Sequence, residues 1–163
     1  MSQPPIHFFH GLESGPVGTK STRLSEEFDV TAPDFEGVYD IEERLETAEE
    51  LTEGATDLVV VGSSFGGLLA ALLYAKHPDR FNGYVLMAPA LHHDIAEEID
   101  RMPDNAVVIH GTHDEVVPIE EVRAFCQPHG VEFIEVDDNH RLHGSLDLMV
   151  EAAGRVASSP EES

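Results

Sequence analysis

The stretch LVVVGSSFGGLLAALLYAK, residues 58–76, decides the fold. It opens on Leu58-Val59-Val60-Val61, apolar and mostly β-branched, which suits a strand buried on both faces of a parallel sheet. From Phe65 to Lys76 it is rich in Ala and Leu and reads as a helix, which Pro78 stops. Between them Gly62-Ser63-Ser64-Phe65-Gly66 matches G-x-S-x-G. A chain turning sharply from strand into helix would carry Ser64 at the apex, and flanking glycines would let neighbouring backbones approach without a Cβ clash. The helix that follows adds a positive dipole end near the serine. Five residues alone recur by chance. The strand before and the helix after make the pattern specific, and two further loops decide between a nucleophile and an ordinary glycine-rich turn.

Outward from this unit, short apolar runs alternate with longer periodic ones. Strands are expected at Ile6 to Phe9, weakly at Val30 to Ala32, then at Asp57 to Val61, Tyr84 to Met87, Ala106 to Ile109 and Val131 to Val136. Helices are expected at Thr19 to Phe28, Asp40 to Thr52, Phe65 to Lys76, Ile95 to Arg101, Ile119 to Gln127 and Leu146 to about Val156. Asp40 caps one of them, Gly54 follows its end, and Pro118 makes a good first residue for another. Repeated β-α units predict an α/β fold, a three-layer α/β/α sandwich around a mainly parallel sheet of about six strands. The domain is expected to span residues 1–157, with 158–163 as a polar tail. In such sheets ligands bind beyond the carboxyl ends of the strands.

Two strand-end loops supply what a serine nucleophile needs. IHGTHDEVVP, residues 109–118, presents Asp114, a candidate to fix the tautomer of a base and stabilise its imidazolium. Its neighbours His113 and Glu115 read as surface loop residues. IEVDDNHRLHG, residues 134–144, offers two histidines. His140 is favoured over His143 because the Asp137-Asp138-Asn139 turn places it directly above the sheet edge.

The loop after the first strand, FFHGLESGPVGTKST at residues 8–22, has glycines and a Lys-Ser pair that suggest a phosphate cradle. The test fails twice. Thr19 separates Gly18 from Lys20, and Glu13 stands where the first glycine of G-x-x-x-x-G-K-[ST] belongs. His92, His93 and Asp94 invite a metal reading, but adjacent side chains diverge and no H-E-x-x-H spacing exists, so no metal and no cofactor are expected. His7, His77 and His129 read as structural or exposed. The lone Cys126, in AFCQ, fits a small buried core residue and a reducing compartment.

Composition narrows the partners. The 163 residues hold 32 acidic against 9 basic side chains, a net charge of −23. Such a surface repels nucleic-acid phosphates and anionic lipid. Most acids read as solvated helix faces, and low lysine with high Asp and Glu also fits adaptation to high salt. No apolar run is long enough to span a membrane, and MSQPPIHFF lacks the basic start and apolar stretch of a signal peptide. A cytoplasmic protein, monomeric or a small homo-oligomer, is the expectation.

With these pieces placed, the chain resembles the α/β-hydrolase superfamily, and within it the small, lidless bacterial serine esterases. The motifs that carry the resemblance are His10-Gly11, GSSFGG at Gly62 to Gly67, GTHDEVVP at Gly111 to Pro118, and Asn139-His140. The chain order Ser64, Asp114, His140 is the one that fold uses. The resemblance implies that the backbone N–H groups of Leu12 and Phe65 form an oxyanion hole, with Glu13 or Ser14 as alternatives to Leu12. The family core has eight strands, and this chain starts at the equivalent of the third. The segment between the Met87 and Ala106 strands is too short for a cap domain, which implies an open site with Leu12, Phe65, Leu91 and His92 at its rim. A serine at the elbow excludes the branches that need aspartate there. The expected activity is hydrolysis of small carboxylic esters or thioesters through an acyl-enzyme. The alternatives are a non-catalytic binding or signalling module, or a hydrolase of amide or C–C bonds.

Overall fold

A computed structural model describes residues 4–158. Six strands, β1 (Pro5–Phe9), β2 (Asp29–Thr31), β3 (Leu58–Ser63), β4 (Phe81–Met87), β5 (Ala106–Gly111) and β6 (Glu132–Val136), form one sheet in the order β2-β1-β3-β4-β5-β6. Every neighbouring pair is parallel. Five α-helices cover it: α1 (Thr19–Ser25), α2 (Ile41–Leu51), α3 (Phe65–Lys76), α4 (Ile119–Cys126) and α5 (Leu146–Ser158).

The strands read as continuous apolar runs because both faces are buried, and their side chains alternate between two cores. Val59 and Val61 pack with Leu24, Phe28, Met149 and Ala152 beneath α1 and α5. Val60 packs on the other face with Ile41, Leu68, Leu69, Val122 and Cys126 beneath α2, α3 and α4. Burial pushes the Cys126 thiol up to about 12, which makes it an inert core residue. The chain runs from β1 outward to β2 and returns to β3 on the other side of β1. That reversal places the switch point of the sheet between the carboxyl ends of β1 and β3.

Several boundaries differ from expectation. Helix α1 stops at Ser25, short of Phe28, because the Phe28 side chain drops into the core and Asp29 must extend to pair with β1. Residues 95–101 form no α-helix. A 3-10 turn over Asp94–Glu98 takes their place, started by the Ile95 amide donating to the His93 ring. One turn is too short for helix propagation to offset its nucleation. Strand β4 begins three residues early, since Phe81 and Gly83 pair with Leu58 and Val59. Pro118 is extended (φ −64°, ψ 123°), so α4 starts after it at Ile119. Asp40 caps α2, its carboxylate accepting from the Glu42 amide at 3.3 Å. Ser158, expected to open the tail, is the last residue of α5, and 159–163 lie outside the described residues. Among the described residues no helix is long and apolar enough to cross a membrane.

Candidate active site

Ser64 sits between β3 and α3 with φ 56° and ψ −112°, a conformation that a non-glycine residue rarely adopts. It is held there from both sides. Its amide donates to the Met87 carbonyl at 2.8 Å, and its own carbonyl accepts from Gly67, Leu68 and Ala90 at 3.0–3.1 Å. The turn also depends on its glycines. A Cβ on Gly62 would lie 2.8 Å from the Gly67 Cα, and one on Gly66 would overlap the Phe9 carbonyl of β1. The other non-glycine residues with positive φ among those described are Ala88 and Leu142, in the segments after β4 and β6. Strain of this kind, of order 1–3 kcal/mol per residue, gathers at functional faces.

The segment after β6 brings His140 over this turn. Its Nε2 lies 3.0 Å from Ser64 Oγ, and its Nδ1 lies 2.7 Å from Asp114 Oδ2. Asp114 is an acceptor, so Nδ1 carries the proton and Nε2 turns a lone pair to the serine hydroxyl. The Asp114 carboxylate is buried, and its Oδ1 accepts from the Val116 and Val117 amides at 2.8 and 2.7 Å. Three expected residues thus form one hydrogen-bonded chain. His143 begins a 3-10 turn and takes no part in it. His113 is exposed and pairs with Asp137 at 2.7 Å. Lys20 donates to the Arg141 carbonyl at 2.7 Å and so tethers the His140 segment to α1. Burial pulls its ammonium down to about 8.

On the other side of Ser64 lies the segment after β1. No described residue accepts from the amides of Leu12 or Phe65. The Gly11 amide, in contrast, is taken by Ser14 Oγ at 3.0 Å. His92 is exposed as a rim residue would be, but Leu91 is buried in the core of the α2, α3 and α4 layer. Both help line a shallow depression of about 420 Å³ with His93, Glu97, Glu121 and Phe125. His93 meets the ring of Phe65 at 6.3 Å between centroids. Among the described residues no group of three or more His, Cys, Asp or Glu is arranged to hold a metal.

Two buried side chains at this site are not singled out by the sequence reading. His110, on β5, sends Nε2 to the Val117 carbonyl at 3.0 Å and lies 3.2 Å from Asp114 Oδ2. Both neighbours are acceptors, so Nε2 bears the proton and Nδ1 has no partner. Burial pulls the imidazole below its ordinary value. Arg44, on α2, is fully buried and reaches the carbonyls of His10 and Gly11. Its sequence signal is spacing. Ile41, Arg44 and Ala48 fall on one helix face, and that face is the buried one.

The comparisons with known proteins agree with this architecture. A protein of Xanthomonas campestris pv. campestris assigned to the alpha/beta hydrolase superfamily is 28% identical, with a TM-score of 0.82 over 98% of this chain and 100% of its own. Est1E of Butyrivibrio proteoclasticus, also solved with ferulic acid bound, shares the fold at 19% identity and a TM-score of 0.74, over 93% of this chain and 86% of its own. The monoacylglycerol lipase of Paleococcus ferrophilus does so at 15% identity and a TM-score of 0.70, over 93% and 96%. No curated protein sequence matches the chain. The family described by the alpha/beta hydrolase fold matches residues 17–105, more than half of the chain and including the Ser64 turn. With a parallel six-stranded sheet and a strained serine at the end of its third strand, the chain belongs to the alpha/beta hydrolase fold family.

Proposed function

We propose that this protein is a serine hydrolase of small carboxylic esters or thioesters, working through an acyl-enzyme. The observation that carries the reading is the unbroken relay from Ser64 Oγ through His140 to the buried Asp114 carboxylate. In the first half-reaction Oγ attacks the carbonyl carbon while His140 Nε2 takes its proton. Negative charge moves to the carbonyl oxygen, where the free amides of Leu12 and Phe65 are the candidate donors. The tetrahedral adduct collapses, the C–O or C–S bond breaks, and His140 returns the proton to the leaving group. Water then enters by the same route, and His140 takes its proton as the hydroxide oxygen attacks the acyl carbon. Collapse of that second adduct frees the carboxylic acid and reprotonates Ser64.

Substrate size follows from the short cover of the site. Between β4 and β5 the chain holds only one 3-10 turn, too little to fold over Ser64 as a cap. Short acyl chains suit such a surface better than long ones. Uncharged esters suit the −23 surface better than polyanionic substrates, an objection that added salt weakens.

The test is hydrolysis of p-nitrophenyl acetate and butyrate by the wild type and by Ser64→Ala, at low and high salt. Activity that disappears in the variant supports the nucleophile, and a preference for acetate supports the open site. A folded wild type without turnover would instead favour a binding module on this fold.

A further inference from the structure

Arg44 is a guanidinium with no carboxylate. Its relative exposure is 0%, and its donors go to four backbone carbonyls: Nε to Val38 at 2.7 Å, Nη1 to His10 at 3.0 Å, Nη2 to Gly11 at 3.2 Å and to Phe35 at 3.3 Å. Its faces meet the rings of Phe35 and Phe65, with Cζ 5.3 and 5.0 Å from their centroids. A buried cation is ordinarily matched by an anion, because carbonyl dipoles replace only part of its lost hydration. A helix that only needed anchoring to the sheet would be served by an apolar side chain. The location therefore carries the meaning. The residues Arg44 holds are the segment after β1, where a Cβ on Gly11 would lie 3.6 Å from the Ser64 Cβ, and the ring of Phe65, which follows Ser64 in the chain.

We infer that Arg44 is the positioning residue of the oxyanion hole, orienting the Leu12 amide and backing the Phe65 amide with unneutralised positive charge. The inference rests on the serine-hydrolase reading. Its geometry starts from the peptide plane. In a trans peptide the C=O of one residue and the N–H of the next point in opposite directions. The Gly11 carbonyl accepts from Arg44 Nη2 and also from His10 Nδ1–H at 2.8 Å, so both of its lone pairs are engaged. The His10 ring is fixed in turn, since its Nε2 accepts from the Phe35 amide at 2.8 Å. A plane clamped at the Gly11 oxygen sends the Leu12 N–H away from the guanidinium. The preceding plane is clamped likewise by Nη1 on the His10 carbonyl, and its Gly11 N–H is already satisfied by Ser14. The order of use is thus set: Gly11 N–H closes the loop, and Leu12 N–H is left for a ligand. This favours Leu12 over Glu13 or Ser14 as the second donor. The positive charge is present before reaction and meets a full negative charge only when the carbonyl oxygen becomes an oxyanion, which is the condition for stabilising the transition state more than the substrate.

Arg44→Lys tests this, because an ammonium keeps the charge and loses the planar fork that spans four carbonyls. On p-nitrophenyl acetate the variant is expected to keep KM within about twofold and to lose kcat by about 10- to 100-fold. Its affinity for an alkyl trifluoromethyl ketone, which forms a tetrahedral oxyanion on Ser64, should fall by the same factor as kcat/KM. A folded Arg44→Lys protein with kcat and ketone affinity unchanged would overturn the inference, as would a parallel loss confined to KM. A second measurement needs only the wild type. On binding the ketone, the Arg44 side-chain and Leu12 amide resonances should shift together, and silence of either overturns the assignment. A wild type that neither turns over ester nor binds the ketone sinks the hydrolase reading itself. An active wild type with an unaffected variant sinks only the role of Arg44.

Discussion

Two charges are buried beside Ser64, and they are satisfied by opposite means. Asp114 is an anion surrounded by donors, the His140 ring and the amides of Val116 and Val117, with the His110 ring 3.2 Å away. Arg44 is a cation surrounded by acceptors, four carbonyls and two aromatic faces. Neither forms an ion pair with a permanently charged partner. A permanent counter-ion would quench the field each projects toward the serine. Built from dipoles instead, each charge would, in the reaction proposed above, stay available for the one that reaction creates, imidazolium at the Asp114 side and oxyanion at the Arg44 side.

The largest expected effect breaks the comparison on the anionic side. Asp114→Asn keeps the shape but puts an amide NH₂ or a neutral oxygen beside His140 Nδ1, which permits the wrong tautomer and removes the charge that supports the imidazolium. We expect kcat for p-nitrophenyl acetate to fall by about four orders of magnitude, with the melting temperature little changed. A loss under tenfold would mean that Asp114 is a packing residue, leaving the Arg44 side as the main electrostatic device.

A smaller effect sharpens the comparison through acidity. Each buried charge has a buried histidine beside it, His10 beneath Arg44 and His110 beside Asp114. Burial is the largest cause that pulls both below their ordinary value of 6.5. A histidine depressed in the folded state binds a proton more readily when unfolded. Its contribution to stability is therefore present above about pH 6.5 and is lost as pH falls through the folded value. Urea unfolding between pH 7.5 and pH 5 should show a falling midpoint before the carboxylates of Glu49 and Asp138, which are held low, begin to titrate. A midpoint that stays flat to pH 5 would show that both rings take up protons in the native state as readily as in the unfolded chain, against their assigned neutral tautomers. His10 is the more telling ring, because protonation at Nε2 would expel the Phe35 amide and loosen the clamp on Gly11.

How much of this was legible beforehand depends on what signals each residue leaves. Ser64 was legible because a tight turn needs glycine at Gly62 and Gly66, and glycine at fixed spacing between a strand and a helix is rare enough to notice. Asp114 and His140 were legible because they stand in polar loops after apolar strands, where side chains of that kind have few structural duties. The six strands were legible for the same reason that their ends were not. Burial on both faces demands an apolar run, while Phe81 to Gly83 extend β4 through pairing with β3, which no local pattern announces. Arg44 was not legible because IEERLETAEEL reads as a solvated acidic helix. The side chain that contradicts that reading is one basic residue in phase with Ile41 and Ala48. Its meaning comes from carbonyls far away in sequence, those of His10 and Gly11.

The smallest expected effect asks whether buried polarity in this protein always serves the site. Among the described residues two buried side-chain atoms lack a hydrogen-bond partner, His110 Nδ1 and the Tyr84 hydroxyl. Tyr84 lies in β4, packed edge-on against Tyr74 and Phe81 in the layer beneath α3. Burial raises its phenol well above the ordinary value, so it stays neutral and takes no part in proton transfer. An unsatisfied hydroxyl in an apolar setting is a desolvation penalty without return, and Tyr84→Phe should stabilise the fold by about 1 kcal/mol while leaving kcat and KM within error. Chemical denaturation beside the ester assay checks both halves. If removal of the hydroxyl destabilises instead, Tyr84 has a partner such as a buried water. If kcat moves with it, the electrostatic work of the site extends through β4, and the division into one anionic and one cationic device is too narrow.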